Sequence, residues 1–290
     1  MTETTAIRSR TVTANGLRMH VTESGAGAPV LMLHGFPQSA REWAPVMSAL
    51  CERAHLIAPD LRGAGETEAP ASGYDSATVR RDVISLLDRL GLDQVDLVAH
   101  DWGALVGFDL CLDAPGRIRR FVAIAVPAPY FRMNRALVVG LMKAMPHLWF
   151  QWAVATPGLG PMLLSRGRQR LARYILRLSE IRPKGEADVS AYLEALRDPA
   201  RARAASKLYR GLILPGFMKA LRGAYLGRVL HTPTLVLFGA DDALLPKDAL
   251  EVNPDDAPHT TVEFVPRGAH YLVDDNPEAV TRRIAEFLFP

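Results

Sequence analysis

The chain has 290 residues, 49% of them hydrophobic and 22% charged, with a net charge of +3. This is the make-up of a globular protein long enough to bury a large core, and the charge is too small to indicate a nucleic-acid binder. No stretch reaches the roughly 18 uninterrupted apolar residues of a membrane span. The nearest, residues 137–154, is broken by Lys143, Pro146, His147 and Gln151. The arginines concentrated over 166–228 read as a solvated helical surface. Cys51 and Cys111 lack metal-ligand spacing and predict reduced, buried thiols. The start of the chain, MTETTAIRSR, lacks the apolar segment of a signal peptide. A soluble, cytoplasmic protein is expected.

Residues 8–23 predict two strands around Asn15-Gly16, a strong hairpin signal. Val30-Leu31-Met32-Leu33 is short and apolar on both faces, as a buried strand is. A helix is expected near 43–51 and a strand near 54–58. Another helix is expected over 76–90, where Val79, Val83, Leu86, Leu87 and Leu90 keep helical spacing and Gly91 ends it. A strand over 95–99, a helix just after it and a strand over 118–126 continue the alternation. Such alternation predicts an α/β fold, a mostly parallel sheet with helices on both faces. After Pro127-Ala128-Pro129 the pattern predicts only helices and loops to about residue 230. Strand character returns at 234–238 and 262–265, before a helix over 277–289. The predicted organisation is a core of residues 1–127 and 231–290, interrupted by a helical cap of residues 128–230.

Chemistry concentrates at Ala99-His100-Asp101-Trp102-Gly103-Ala104, between a buried strand and a helix. That is the context in which a strained turn lifts a nucleophile above a sheet. Serine hydrolases carry G-x-S-x-G there. Here Asp101 takes the nucleophile position, with Ala99 two residues before it and Gly103 two after. A carboxylate attacks saturated carbon to give an alkyl ester, which suits epoxides and alkyl halides. Attack on an ester or amide would give an unfavourable anhydride. An aspartate can also serve as a helix N-cap, worth about 1 kcal/mol. The strand before it and the motifs that follow favour the nucleophile.

His34-Gly35-Phe36-Pro37, Asp60-Leu61-Arg62-Gly63-Ala64-Gly65, the His100-Asp101-Trp102-Gly103 elbow, Gly239-Ala240-Asp241-Asp242 and Gly268-Ala269-His270 carry a resemblance. Together they resemble the epoxide hydrolase branch of the α/β-hydrolase family, with haloalkane dehalogenases as near relatives. The resemblance covers essentially the whole chain and implies an α/β-hydrolase fold with an inserted helical cap. It implies an oxyanion hole built from the backbone N–H groups of Phe36 and Trp102. It implies His270 as the general base and Asp242 as the acid orienting it, since Gly239, Asp242 and Pro246 keep the family's spacing. Asp241 reads as a turn residue, and His34 as structural.

For ring opening the resemblance implies two cap donors to the epoxide oxygen. Lys207-Leu208-Tyr209-Arg210 is similar to the family's Trp-Tyr-Arg motif and implies Tyr209. Met145-Pro146-His147-Leu148-Trp149-Phe150 is similar to its other cap motif and implies His147, with Pro146 where the family has Trp. Trp149 and Phe150 are expected in an apolar substrate pocket, although helix packing would give the same composition. The implied reaction converts an epoxide, a lipophilic one if those cap residues line the pocket, and water to a vicinal diol through an aspartyl ester. It needs no metal or organic cofactor. The expected partners are the small epoxide and water, without nucleic acid or a transmembrane segment; a homodimer is left open.

Four rivals stand beside this reading. A haloalkane dehalogenase would keep Asp101, Asp242 and His270 and bind halide through Trp102 and Trp149, but Phe36 stands where such enzymes commonly carry Asn. A fluoroacetate dehalogenase needs arginines where this chain has Trp102 and Leu105. A non-catalytic ligand-binding homologue would be consistent with the departures at Ala99 and Pro146. A serine esterase lacks its serine.

Overall fold

The computed structural model describes residues 6–132, 134–178, 181–242, 250 and 252–290. Strands β1 (Arg8–Ala14) and β2 (Leu17–Ser24) form an antiparallel hairpin. Asn15 and Gly16 turn it with φ of 49° and 71°, the positive values a type I′ turn requires. There follow β3 (Pro29–Leu33), α1 (Ala44–Leu50), β4 (His55–Pro59), α2 (Ser76–Arg89), β5 (Val95–His100), α3 (Trp102–Asp113) and β6 (Ile118–Ile124). Strand and helix alternate without exception through this stretch.

After a helical insertion the sheet resumes with β7 (Thr234–Gly239) and β8 (Thr260–Val265), then α10 (Leu272–Asp275) and α11 (Pro277–Leu288). The described strands form one sheet in the order β1-β2-β4-β3-β5-β6-β7-β8. Both pairings of β2 are antiparallel and the rest are parallel. Because successive side chains leave opposite faces of a strand, each central strand feeds two cores. Leu31, Leu33, Leu97, Ala99 and Phe121 pack on the side of α2, α3 and the insertion. Val30, Met32, Val98, Val122 and Leu237 pack with residues of α1 and α11. Two-sided burial explains why these strands read as continuous apolar runs.

The insertion runs through α4 (Arg135–Ala155), α5 (Leu159–Ser165), α6 (Arg170–Arg177), α7 (Glu186–Leu193) and α8 (Pro199–Leu208). A π-helical turn, Tyr209–Ile213, leads directly into α9 (Leu214–Leu221). The broken apolar run at 137–154 lies within α4, a single 21-residue helix with Pro146 inside it. No helix among the described residues is long and apolar enough to cross a membrane. Cys51 and Cys111 are free and buried, and burial pushes the Cys111 thiol up to about 12.

Helix α3 approaches the sheet closely at Gly107. A Cβ there would lie 2.5 Å from Cζ and 2.8 Å from Cε2 of Phe121, a fully buried ring with no room to yield. Gly107→Ala should therefore destabilise the protein by about 1–3 kcal/mol through overpacking. Urea denaturation would show it as a lower midpoint. Gly116→Ala, where nothing lies within 4 Å, serves as the unaffected control.

Candidate active site

Between the last residue of β5 and the first of α3 stands one residue, Asp101, with φ 48° and ψ −124°. Such a backbone conformation is sparsely populated by any side chain but glycine and is held only where the surroundings enforce it. The enforcement is visible: the Asp101 N–H donates to the Ile124 carbonyl at 3.1 Å. Neighbouring glycines give the turn its space. A Cβ on Gly103 would lie 2.6 Å from the Leu33 carbonyl oxygen, and one on Gly35 would lie 2.8 Å from Asp101 Cβ.

The loop after β3 meets the carboxylate directly, because the Phe36 N–H donates to Asp101 Oδ2 at 2.9 Å. Trp102 is the first residue of α3, so its N–H has no carbonyl to meet within the helix. His34 holds this loop from within, its Nε2 accepting from the Leu61 N–H at 2.9 Å. On the other side of the carboxylate, His270 Nε2 lies 3.5 Å from Asp101 Oδ1, and its Nδ1 lies 3.6 Å from Asp242 Oδ2. The second distance is just beyond hydrogen-bond range, which leaves Nδ1 buried in an ion pair without a hydrogen bond. The loops bearing Asp242 and His270 touch at Gly239 and Gly268, where a Cβ on the former would meet the latter's carbonyl at 2.2 Å. Asp241 lies exposed in the turn and donates its N–H to Gly268 O at 3.1 Å. Pro246 lies outside the described residues.

Charge is arranged as tightly as geometry. Burial pushes the Asp101 carboxyl up, but hydrogen bonding to His270, the nearby charges of His270 and His100 and the Phe36 N–H hold it below the ordinary carboxylate range. Burial likewise pushes His270 down, and the two flanking carboxylates override it and raise the imidazole well above its usual value.

Two residues that the sequence reading passed over stand beneath this constellation. Glu42 and His100 are both fully buried. His100 Nδ1 lies 3.1 Å from Glu42 Oε2, and His100 Nε2 lies 2.9 Å from the backbone carbonyl of His270. The Gly35 N–H donates to the other Glu42 oxygen at 3.2 Å. A carbonyl on one side and a carboxyl group on the other share the ring's protons, and although burial pushes His100 down, Glu42 beside it raises it above the usual imidazole value. No sequence spacing pairs residues 42 and 100. Only the register of β3 on β5, Leu33 beside Ala99, brings them together.

A cavity of about 320 Å³ opens onto Asp101, Asp242 and His270. Leu105, Phe108, Phe131, Leu148, Phe217 and Phe238 give it mostly apolar walls. Tyr209, at the start of the π-helical turn, is buried with its ring against Phe36, centroids 5.3 Å apart, and is not among the residues that line this cavity. Burial raises its phenol far above the usual tyrosine value, and the negative charge of Asp101 adds to the effect.

The other cap residues depart from expectation. His147 is exposed on the outer side of α4 and does not line the cavity. Trp149 is also exposed, its Nε1 donating to the Tyr174 hydroxyl at 3.2 Å. Phe150 is buried in the hydrophobic core rather than at the cavity wall. The reason is helical phase: the cavity side of α4 is set by Leu148 and Gln151, and residues 147 and 149 flank that side. Trp102 packs edge-on against Phe36 and His34, its indole N–H buried without a partner.

Comparison with known proteins agrees with this architecture. The α/β hydrolase fold family matches residues 28–157. The soluble epoxide hydrolase of Corynebacterium sp. (strain C12) is 36% identical over 146 residues, 49% of this chain and 51% of that protein. The match thus spans about half the length of that curated relative. Among solved structures, epoxide hydrolase VrEH1 from Vigna radiata superposes with a TM-score of 0.79 at 31% identity, covering 97% of this chain and 98% of that one. Cfl2 from Burkholderia cenocepacia superposes with a TM-score of 0.84 at 26% identity, covering 97% and 95%. The chain belongs to the epoxide hydrolase family of α/β-hydrolases.

Asp101, with its carboxyl below the ordinary 3.8, stabilises the fold above that pH and loses the contribution as pH falls below it. His270, raised above 6.5, stabilises below that pH and loses the contribution as pH rises through the raised value. The melting temperature lost on His270→Gln should therefore be largest between about pH 4 and 6.5 and shrink on either side. Glu42→Leu, which strands the buried His100 ring, should cost about 3–5 kcal/mol in chemical denaturation. Glu42→Gln, which keeps an acceptor, should cost clearly less.

Proposed function

We propose that the protein is an epoxide hydrolase that converts an epoxide and water to a vicinal diol through a covalent ester on Asp101. The observation that carries this reading is the division of labour at the Asp101 carboxylate. Oδ2 accepts from the Phe36 N–H, while Oδ1 faces His270 and the apolar cavity. Oδ1 attacks a ring carbon, the carbon–oxygen bond breaks, and the ring oxygen takes a proton from Tyr209. Gln151, the cavity-lining residue of α4 that carries hydrogen-bond donors, supplies the second donor in place of His147. Water then attacks the ester carbonyl while His270 takes its proton. The charge gathers on Oδ2, between the N–H groups of Phe36 and Trp102, where one such donor is worth about 3–4 kcal/mol. Collapse releases the diol oxygen, protonated by His270, and the carboxyl proton left by water then passes to His270, which restores the carboxylate and the protonated imidazole.

The charge arrangement gives the steps their order. While Asp101 is ionised, His270 is held protonated and cannot act as a base. Ester formation removes that negative charge, and burial then drives the imidazole towards its neutral form, its proton making good the one Tyr209 gave to the ring oxygen. Asp242 remains to orient it. The core, residues 1–127 and 231–290, carries the chemistry, and the cap, residues 128–230, shapes the cavity and supplies Tyr209. The free buried cysteines support a cytoplasmic setting. Against halide chemistry, Trp149 is turned away from the cavity and bonded to Tyr174.

Incubation of His270→Gln with styrene oxide should trap the ester, seen as added mass on the peptide holding Asp101. An unmodified peptide, with a substrate that the wild type turns over, would sink the mechanism. Tyr209→Phe should lower kcat/KM for the same epoxide by about 10²-fold or more, the usual contribution of a positioned acid.

A further inference from the structure

Helix α4 has a second face that the chemistry does not use. Val138, Met142, Met145, Trp149 and Trp152 are 40%, 69%, 64%, 47% and 62% exposed. Their spacing of four, three, four and three residues places them along one seam of the helix. Leu159 and Met162 of α5 add two more exposed apolar side chains. Monomeric soluble proteins seldom leave a contiguous apolar surface of this kind without a use for it.

The charge around the seam indicates what covers it. Residues 134–178 contain seven basic residues and no aspartate or glutamate. Arg173 and Arg177 pair with Glu186. Arg135, Lys143, Arg166, Arg168 and Arg170 are exposed and form no ion pair among the described residues. An apolar, tryptophan-bearing strip on an acid-free cationic surface is complementary to a layer that is apolar within and anionic at its surface. A second copy of the chain fits poorly, because it would bring the same unpaired cations against one another.

We propose that this face of the cap docks on an anionic lipid surface. Trp149 and Trp152 sit at headgroup depth, and the unpaired arginines and Lys143 lie against lipid phosphates. The helix lies on the bilayer and does not span it. Leu148 and Gln151, on the adjoining side of the same helix, line the cavity, so docking brings the substrate cavity close to the lipid. Docking itself does not depend on the chemistry at Asp101. If the epoxide hydrolase reading holds, the substrates it favours are epoxides dissolved in the membrane.

The full-length protein should co-sediment with vesicles of phosphatidylcholine and phosphatidylglycerol. It should bind vesicles of phosphatidylcholine alone about tenfold more weakly or worse, and leave the anionic ones as salt rises. Trp43 and Trp102 are buried, so a blue shift of tryptophan fluorescence on binding reports on Trp149 and Trp152. The double variant Trp149→Ser, Trp152→Ser should bind anionic vesicles about tenfold less. Should that variant unfold, Arg166→Glu with Arg168→Glu and Arg170→Glu on exposed positions tests the charge alone and should weaken binding similarly. Equal binding to both kinds of vesicle, or none, overturns the proposal. So does a dimer in sedimentation equilibrium that the tryptophan double variant dissociates, which would make the seam a self-association surface. Loss of epoxide turnover with vesicle binding intact would count against the chemistry and leave the docking standing.

Discussion

A glutamate and a histidine that never meet solvent hold the parts of the candidate site in register. Glu42 grips the Gly35 N–H, one residue before the amide that binds the Asp101 carboxylate. His100 precedes Asp101 in the chain and reaches across to the carbonyl of His270 itself. Three loops that follow three different strands are thus tied to a single ion pair beneath the site. Removing both charges from water is costly, and such pairs seldom add net stability over apolar packing. Their value here is positional: the distances among Phe36, Asp101 and His270 are set from below, independently of the cap.

From above, the loop bearing His270 is tied to the cap. Tyr271 donates to the Ile175 carbonyl at 3.1 Å. Asp274 accepts from Tyr192 of α7 at 2.9 Å and from Gln38 of the core at 2.7 Å. Burial raises the Asp274 carboxyl to about 6, with Lys184 drawing it back down. The segment that follows β8 is therefore where core and cap are joined most closely to the chemistry. A cap that shifted would pull on the residues next to His270 before it touched Asp101.

Much of this was legible in the sequence, and the reasons divide by physical range. The hairpin at Asn15-Gly16, the two-sided apolar strands and the helix ended by Gly91 are local signals, and each lies where its pattern puts it. The turn bearing Asp101 announces itself through small residues flanking a polar one between strand and helix. The cap was harder. A short motif points to His147 and Phe150, and apolar composition to Trp149, yet which side of a helix faces a cavity depends on its phase and on what packs against it. One residue of rotation exchanges His147 for Leu148. The Glu42–His100 pair was invisible for a different reason, since only strand pairing joins residues so far apart in the chain.

The insertion leaves the sheet after β6 and returns to it at β7, and these strands are neighbours, with Phe121 beside Thr234. Because the two strands are parallel, it leaves from Ile124 and re-enters at Thr234, three residues back, so its ends are held about 10 Å apart along the strands and about 4.8 Å across them, whatever lies between them. The entropy of closing such a loop rises only by about 0.6 kcal/mol for each doubling of its length. The sheet is thus nearly indifferent to the size or sequence of what it carries there. The fold works as a fixed socket with an exchangeable cassette, in which new substrate shapes and new surfaces can be tried by descent or by grafting while the machinery below stays untouched.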